Sequence, residues 1–216
     1  MYVGRMVGLG QTPSGRNCLL YRVSSRSFPN RRSVKREDRV VVLPKLGFEA
    51  ESLSNPYVSY TALRVSPMWA VASNGSQTDP IAEKLESGMA ASHALALVLL
   101  GLDYEHDEYG TPRIAAIVPA IGNLGWLGVV SRAGLHVQQV ELIAGAATYI
   151  ATYGGLEIVD ASRKLPVVVE TAEEVAEWVV NGAGFKEFEN PVTSVGAVAL
   201  AHGFDYGSYD APESLV

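Results

Sequence analysis

Five runs in the first half of the chain, "YVGRMVGLG", "CLLYRVSS", "RVVVLP", "SYTALRV" and "MWAVASNG", are short, rich in β-branched and aromatic residues, and punctuated by glycine. Their spacing predicts antiparallel strands. Between "GLG" and "CLL" the residues "QTPSGRN" provide the proline and glycine of a hairpin loop. Further strands are expected in "RIAAIVPA", "LGWLGVVS" and "LHVQQVEL".

Helices interrupt and follow these strands. Asp79 before Pro80 reads as a helix start, because aspartate accepts a backbone N–H at the N-cap and proline lacks a donor that the first turn leaves unused anyway. That helix is predicted to run to about Gly88. A second, in "AASHALALVLLGL", is apolar almost all round and is expected to lie buried between layers. In "TAEEVAEWVVNG", Thr171 and Glu174 form a capping-box pattern, Val175, Trp178 and Val179 share a face, and Gly182 ends the helix. The end, from about residue 203 to 216, has little periodicity and reads as a loosely ordered tail. Strands, two helices, more strands and a further helix within 216 residues predict one α+β domain of packed layers spanning 1–216.

Charge narrows the partners. The chain holds 17 basic and 23 acidic residues, yet Arg22, Arg26, Arg31, Arg32, Lys35, Arg36 and Arg39 crowd into positions 22–39 beside only Glu37 and Asp38. The remainder carries 10 basic against 21 acidic residues, a surface that repels a nucleic-acid backbone, so a small anion is the expected ligand. A lone cysteine, Cys18, sits in the apolar run "CLLYRV" and reads as a buried strand residue in a protein of the reducing cytoplasm. The start lacks a signal-peptide pattern, and the most apolar window, "MAASHALALVLLGL", is too short to span a bilayer. His93, His106, His136 and His202 lack metal-ligand spacing, so no metal site is expected.

Three segments carry chemistry. "YRVSSRSFPNRR" offers guanidinium groups for bidentate anion contact, with serines and Asn30 as neutral donors. Arg22 and Arg26, beside a strand and a serine-rich turn, are the expected anion ligands, whereas Arg31 to Arg39 read as a solvated basic loop. "SNGSQTD", including Ser73 and Asn74, presents backbone and side-chain donors to an anion or base edge, though a turn with an N-cap needs the same residues. "DYEHDEYGTPR" crowds Asp103, Glu105, Asp107 and Glu108, and like charges so placed raise a carboxylate pKa, which suits a general acid or base. A solvated acidic loop fits that composition equally well.

Taken together, "MYVGR", "YRVSSRSFPNR", "NPYVSYTALR", "SNGSQTD" and "LDYEHDEYGTPRIA" resemble, in order and position, the archaeal-type IMP cyclohydrolase family. The resemblance covers roughly the first half of the chain. It implies a four-layer αββα sandwich of the N-terminal nucleophile hydrolase type, with Tyr2 standing where a nucleophile would be exposed. It also implies a homo-oligomer that closes the purine ring of 5-formamidoimidazole-4-carboxamide ribotide to give IMP and water, with no metal or redox cofactor. On this resemblance Glu105 is the proton-transfer group, Tyr57 and Asn74 orient the reacting groups, and Arg22 and Arg26 bind the substrate's anionic parts, with Arg26 alternatively turned to the formyl oxygen as a catalytic group. Ser24, Asn30, Ser73, Tyr104 and Arg113 complete the expected substrate-binding set. Two other readings compete: an amide hydrolase of the same fold using Ser24 or Ser25, and a non-catalytic nucleotide-binding module.

Overall fold

The computed structural model describes residues 1–55, 57–156 and 164–212. The antiparallel pairing expected from the short runs is present throughout, and it builds two sheets. The first has six strands: β1 (Arg5–Gln11), β2 (Asn17–Ser24), β10 (Ala146–Ala151), β11 (Lys164–Pro166), β12 (Pro191–Ala199) and β13 (Phe204–Asp210). Their order is β11-β10-β1-β2-β12-β13. The β1–β2 hairpin turns through "QTPSGR", where Thr12 N and Gly15 N close the loop on Arg16 O and Thr12 O.

The second sheet is a meander of seven strands in chain order: β3 (Arg31–Lys35), β4 (Arg39–Pro44), β5 (Tyr60–Val65), β6 (Trp69–Ser73), β7 (Arg113–Pro119), β8 (Leu124–Ser131) and β9 (Gly134–Glu141). A short helix, α1 (Ala50–Ser54), lies between β4 and β5. Between β6 and β7 the chain leaves the sheet to form α2 (Thr78–Glu86) and α3 (Ala91–Leu102).

Side-chain alternation sorts the apolar residues into three cores. Val7, Leu9, Leu19, Tyr21 and Val23 of the first sheet meet Val40, Val42, Ala72, Ala116 and Leu127 of the second, so the sheets pack face to face. On the outer face of the first sheet, Met6, Cys18 and Leu20 pack against Val175 and Val179 of α4 (Ala172–Asn181). On the outer face of the second, Val71, Ala115 and Ile117 pack against Ile81, Leu85, Leu95 and Leu99. Cys18 is buried as expected, and burial pushes its thiol up to about 12.

Several expectations need correction. The helix begins two residues earlier than expected, at Thr78 with Gln77 at its N-cap; the Asp79 carboxylate instead accepts from Arg39 at 2.9 Å and Thr61 at 2.7 Å. Helix α3 is not buried between layers. Lying outside the second sheet, it buries Leu95 and Leu99 but leaves Leu97 and Leu100 at 53% and 66% exposure. The predicted basic loop contains strand β3, whose Ser33 hydroxyl meets that of Thr193 in the opposite sheet at 2.6 Å. Residues 204–210 of the expected tail are the edge strand β13, paired with β12 along its whole length; residues 213–216 lie outside the described residues. Among the described residues, no helix is long and apolar enough to cross a membrane.

The capping box at α4 is formed: Glu174 N donates to Thr171 Oγ1 at 3.3 Å, and Thr171 N donates to Glu174 Oε2 at 2.9 Å. Gly196 of β12 allows this helix its close approach, since a Cβ there would lie 2.5 Å from Ala172 O. Thr171→Ala should lower stability by about 1 kcal/mol, measured as a shift in the urea midpoint at constant slope.

Candidate active site

A cavity of about 280 Å³ opens where the two sheets part. The first sheet contributes Arg5 at the start of β1, Ser25 after β2 and Tyr153 after β10; the second contributes Arg31, Tyr57, Glu105 and Thr111. Its size is near the lower end of the usual range for ligand sites, roughly 300–1,000 Å³.

Glu105 is delivered to this cleft by local backbone chemistry. Asp103 ends α3 at φ 56° and ψ −175°, a region that favours glycine, and turns the chain inward. Glu105 N donates to Thr111 O, while the Asp107 carboxylate accepts from Thr111 N at 2.8 Å and from Thr111 Oγ1. These bonds close the acidic stretch into a compact loop and leave Glu105 1% exposed.

Three groups surround that carboxylate. Arg5 Nη2 donates to Oε2 at 2.8 Å, and Asn74 Nδ2 approaches Oε1 at 3.4 Å. Asn74 is itself fixed, donating to Pro112 O and accepting from Gln77 Nε2 and Ile114 N. Arg113 donates through Nη1 to Gln77 and through Nε to Asp103 O, and its guanidinium lies 5.7 Å from the Tyr57 ring centroid. Gly75 stands where these side chains converge: a Cβ there would lie 2.8 Å from Arg113 Nη1.

Burial raises the Glu105 pKa above the ordinary carboxylate value, opposed by Arg5 and Arg113 and assisted by Asp107. The crowded carboxylates expected to raise it are thus the lesser cause. Burial also pulls on Arg5, but Glu105 and the neighbouring phenols outweigh it and hold the guanidinium charged. Two of those phenols, Tyr21 and Tyr60, share a hydrogen bond at 2.7 Å across the gap between the sheets.

Arg22, expected to bind the anion, lies on the wrong face of β2. Tyr21 and Val23 point between the sheets, so Arg22 points toward α4, fully buried. Its guanidinium donates to Val179 O, Phe185 O and Phe188 O at 3.0, 2.9 and 2.7 Å, and to Ser24 Oγ at 3.0 Å, and burial draws its pKa down to about 10. Ser24 is sealed beneath it. Arg26 sits at the rim, 60% exposed, paired with Glu189 at 2.9 Å and 4.2 Å from the Tyr2 ring, which stacks on Tyr153. Asn30 faces a separate hollow with Lys45 and Phe48. Ser73 is buried on Thr78, and Tyr104 packs by His106 and Arg132, all away from the cleft.

The cleft also contains residues that sequence reasoning missed. Arg31 is 1% exposed rather than solvated. Arg5 had a legible signal, a single charge heading a run that is otherwise apolar. Tyr153 had none, because only the pairing of β10 with β1 brings it here.

Comparison with known proteins gives the family. Residues 2–203 match the family described as IMP cyclohydrolase-like protein. The chain belongs to that family. It is 44% identical over 214 residues, covering 99% of this chain and all of the relative, to a protein of Methanocella arvoryzae named IMP cyclohydrolase. Proteins of the same name from Methanocaldococcus jannaschii and Methanosphaera stadtmanae are 42% and 40% identical, with 92% and 91% of this chain and 94% of each relative covered. The match runs well past the first half, to which the sequence motifs had been confined.

Arg22→Ala should therefore act on folding. It strands several buried carbonyl oxygens, each of which costs roughly 1–3 kcal/mol when unpaired, so chemical denaturation should show a loss of at least about 3 kcal/mol. An unchanged midpoint would contradict the buried position.

Proposed function

We propose that this chain is an IMP cyclohydrolase that closes the purine ring of 5-formamidoimidazole-4-carboxamide ribotide in the cleft around Glu105. The observation that carries the reading is a buried carboxylate, raised in pKa and gripped by Arg5, facing a cavity of ligand size in a member of this family. The layering, with helices on the outer faces of two facing sheets, supports an αββα sandwich of the N-terminal nucleophile hydrolase type. In this reading Tyr2, at the cleft mouth, replaces the nucleophile of true hydrolases.

Both reacting groups already stand on one ring, so the protein's work is to hold a rotamer, move protons and stabilise an oxyanion. The carboxamide nitrogen adds to the formyl carbon, the carbonyl π pair moves to oxygen, and Glu105 accepts the proton lost by nitrogen. Glu105 then returns that proton to the oxygen, giving the carbinolamine. Departure of the hydroxyl with the proton of the neighbouring nitrogen, as water, completes IMP. Arg5 keeps Glu105 available as a carboxylate while burial keeps it basic enough to accept a proton. Asn74 fixes the carboxylate from behind, Tyr57 orients the carboxamide, and Arg113 braces Tyr57. Arg26 guards the rim.

Incubation of the protein with the formamido ribotide should change the ultraviolet spectrum as the purine forms. A static spectrum would defeat the reading. Turnover should persist in excess EDTA, and its loss on chelation with return on added zinc or magnesium would show a metal-dependent reaction instead.

Glu105→Gln should lower kcat by about 10²–10⁴, measured on folded protein below its melting temperature, which should itself fall because Arg5 loses its buried counter-ion. The pH dependence fixes the sign of the role. A base must be ionised, so kcat/KM should fall as pH drops through the Glu105 pKa, which lies above that of an exposed glutamate. Asp107→Asn removes a negative charge that raises this pKa, so its acid limb should move to lower pH. Near-normal turnover by Glu105→Gln at every pH would leave positioning alone as the catalyst.

A further inference from the structure

The two sheets present four edges, and three of them are blunted. Strand β11 has only three residues, β3 carries Arg32 and Lys35 and has Ser33 N donating to Asp210 Oδ1 at 2.9 Å, and β13 carries Asp205 and Asp210. Strand β9 has none of these devices. Its eight residues, "GLHVQQVE", pair with β8 along their whole length without a bulge, and they include no lysine, arginine or proline. Among the described residues no strand lies on its other side. Such an edge is a row of unpaired N–H and C=O groups, open to another strand.

The helix above this edge is apolar on its outer side as well. Helix α3 packs across β8 and β9, with Leu135 and Val137 against its buried leucines, and it leaves Leu97 and Leu100 in solvent. Across α3 and β9, Glu141 is the one formal charge, in a chain that is 19% charged and carries −6 overall. Two copies of so acidic a chain repel each other over most of their surfaces, and along this strip they approach without that repulsion.

We propose that β9 and α3 are the contact between two copies of this chain, with β9 pairing antiparallel to β9 of the second copy about a two-fold axis normal to the sheet. The second sheet then runs on through both copies. The edge is complementary to itself. Centred on Val137, the pairing sets His136 opposite Gln138 and Leu135 opposite Gln139 and leaves Glu141 outside the paired stretch, so no like charges meet. Paired strands lie about 4.8 Å apart, so α3, seated over β8 and β9, stands roughly 5 Å from that axis. The two copies of α3 then run side by side about 10 Å apart, the contact distance of packed helices. Strand and helix together form a strip about 27 Å long and about 20 Å deep, and joining two such strips buries on the order of 1,000 Å², the area that a specific interface requires.

Sedimentation velocity over a range of protein concentrations tests the contact. Wild-type protein should sediment as a dimer or a larger even-numbered assembly. Leu97→Lys combined with Leu100→Lys brings like charges together across the axis, and it should halve that mass or raise the dissociation constant of the pair by at least about a hundredfold. Ile121→Lys, at an exposed apolar site in the β7–β8 turn, should leave the mass unchanged. Amide hydrogen exchange locates the pairing: the outward N–H groups of β9 should be protected in the wild type and exchange rapidly in the double variant. A wild type that is monomeric at every concentration, a double variant that keeps the wild-type mass, or an Ile121→Lys protein that dissociates equally would overturn the proposal. So would β9 amides that exchange at the same rate in the wild type and the double variant. Should the double variant not fold, Gln139→Lys, at an exposed position on the edge itself, carries the same comparisons.

Discussion

Glu105, in the loop between α3 and β7, and Arg5, at the start of β1, meet 2.8 Å apart where the two sheets separate. Neither would be tolerated alone there. A carboxylate this buried would take up a proton, and a guanidinium beside two phenols would lose part of its hydration without return. Together they anchor the loop that follows α3 to the first strand of the opposite sheet, and the floor of the cleft follows from that attachment. The Tyr21–Tyr60 hydroxyl pair does the same between strand faces, so the inter-sheet gap near the cleft is set by hydrogen bonds of defined length rather than by apolar packing alone.

The contrast between Arg22 and Arg31 shows how strand parity governs what a side chain faces. Both are nearly inaccessible, and both lie in the one basic segment of an acidic chain. One faces α4 and satisfies the carbonyl oxygens left at and beyond that helix's end, a helix C-terminal role for a cation. The other faces the gap between the sheets. Reading the segment as a motif could not separate them, because the decision rests on which side of each strand is covered by what.

Much of the fold was legible where the signal is local. The strand runs, the β1–β2 turn and the capping box of α4 depend on neighbouring residues, and each appears where the pattern placed it. Glu105 was legible as chemistry, and the structure supplies burial as the principal reason for its raised pKa. What could not be read is long-range. Strand β13 lacks apolar periodicity because it lies on an edge, with one hydrogen-bonded neighbour and polar side chains such as Asp205 and Ser208. Ser24, Ser73 and Tyr104 carried suitable chemistry but are spent on internal contacts, which no spacing reveals.

The seven strands of the second sheet pair in chain order, whereas the first sheet joins residues from both ends of the chain, β2 beside β12. Neighbours in the meander are separated by nothing longer than the α2–α3 excursion between β6 and β7; the other sheet joins strands separated by most of the chain, at a larger entropic cost. The cleft takes Arg5 from the long closure and Arg31 from the short one, so it exists only when both are complete. A ligand held in this cleft would have no partial fold to bind, and its affinity would add, by mass action, to the stability of the whole fold.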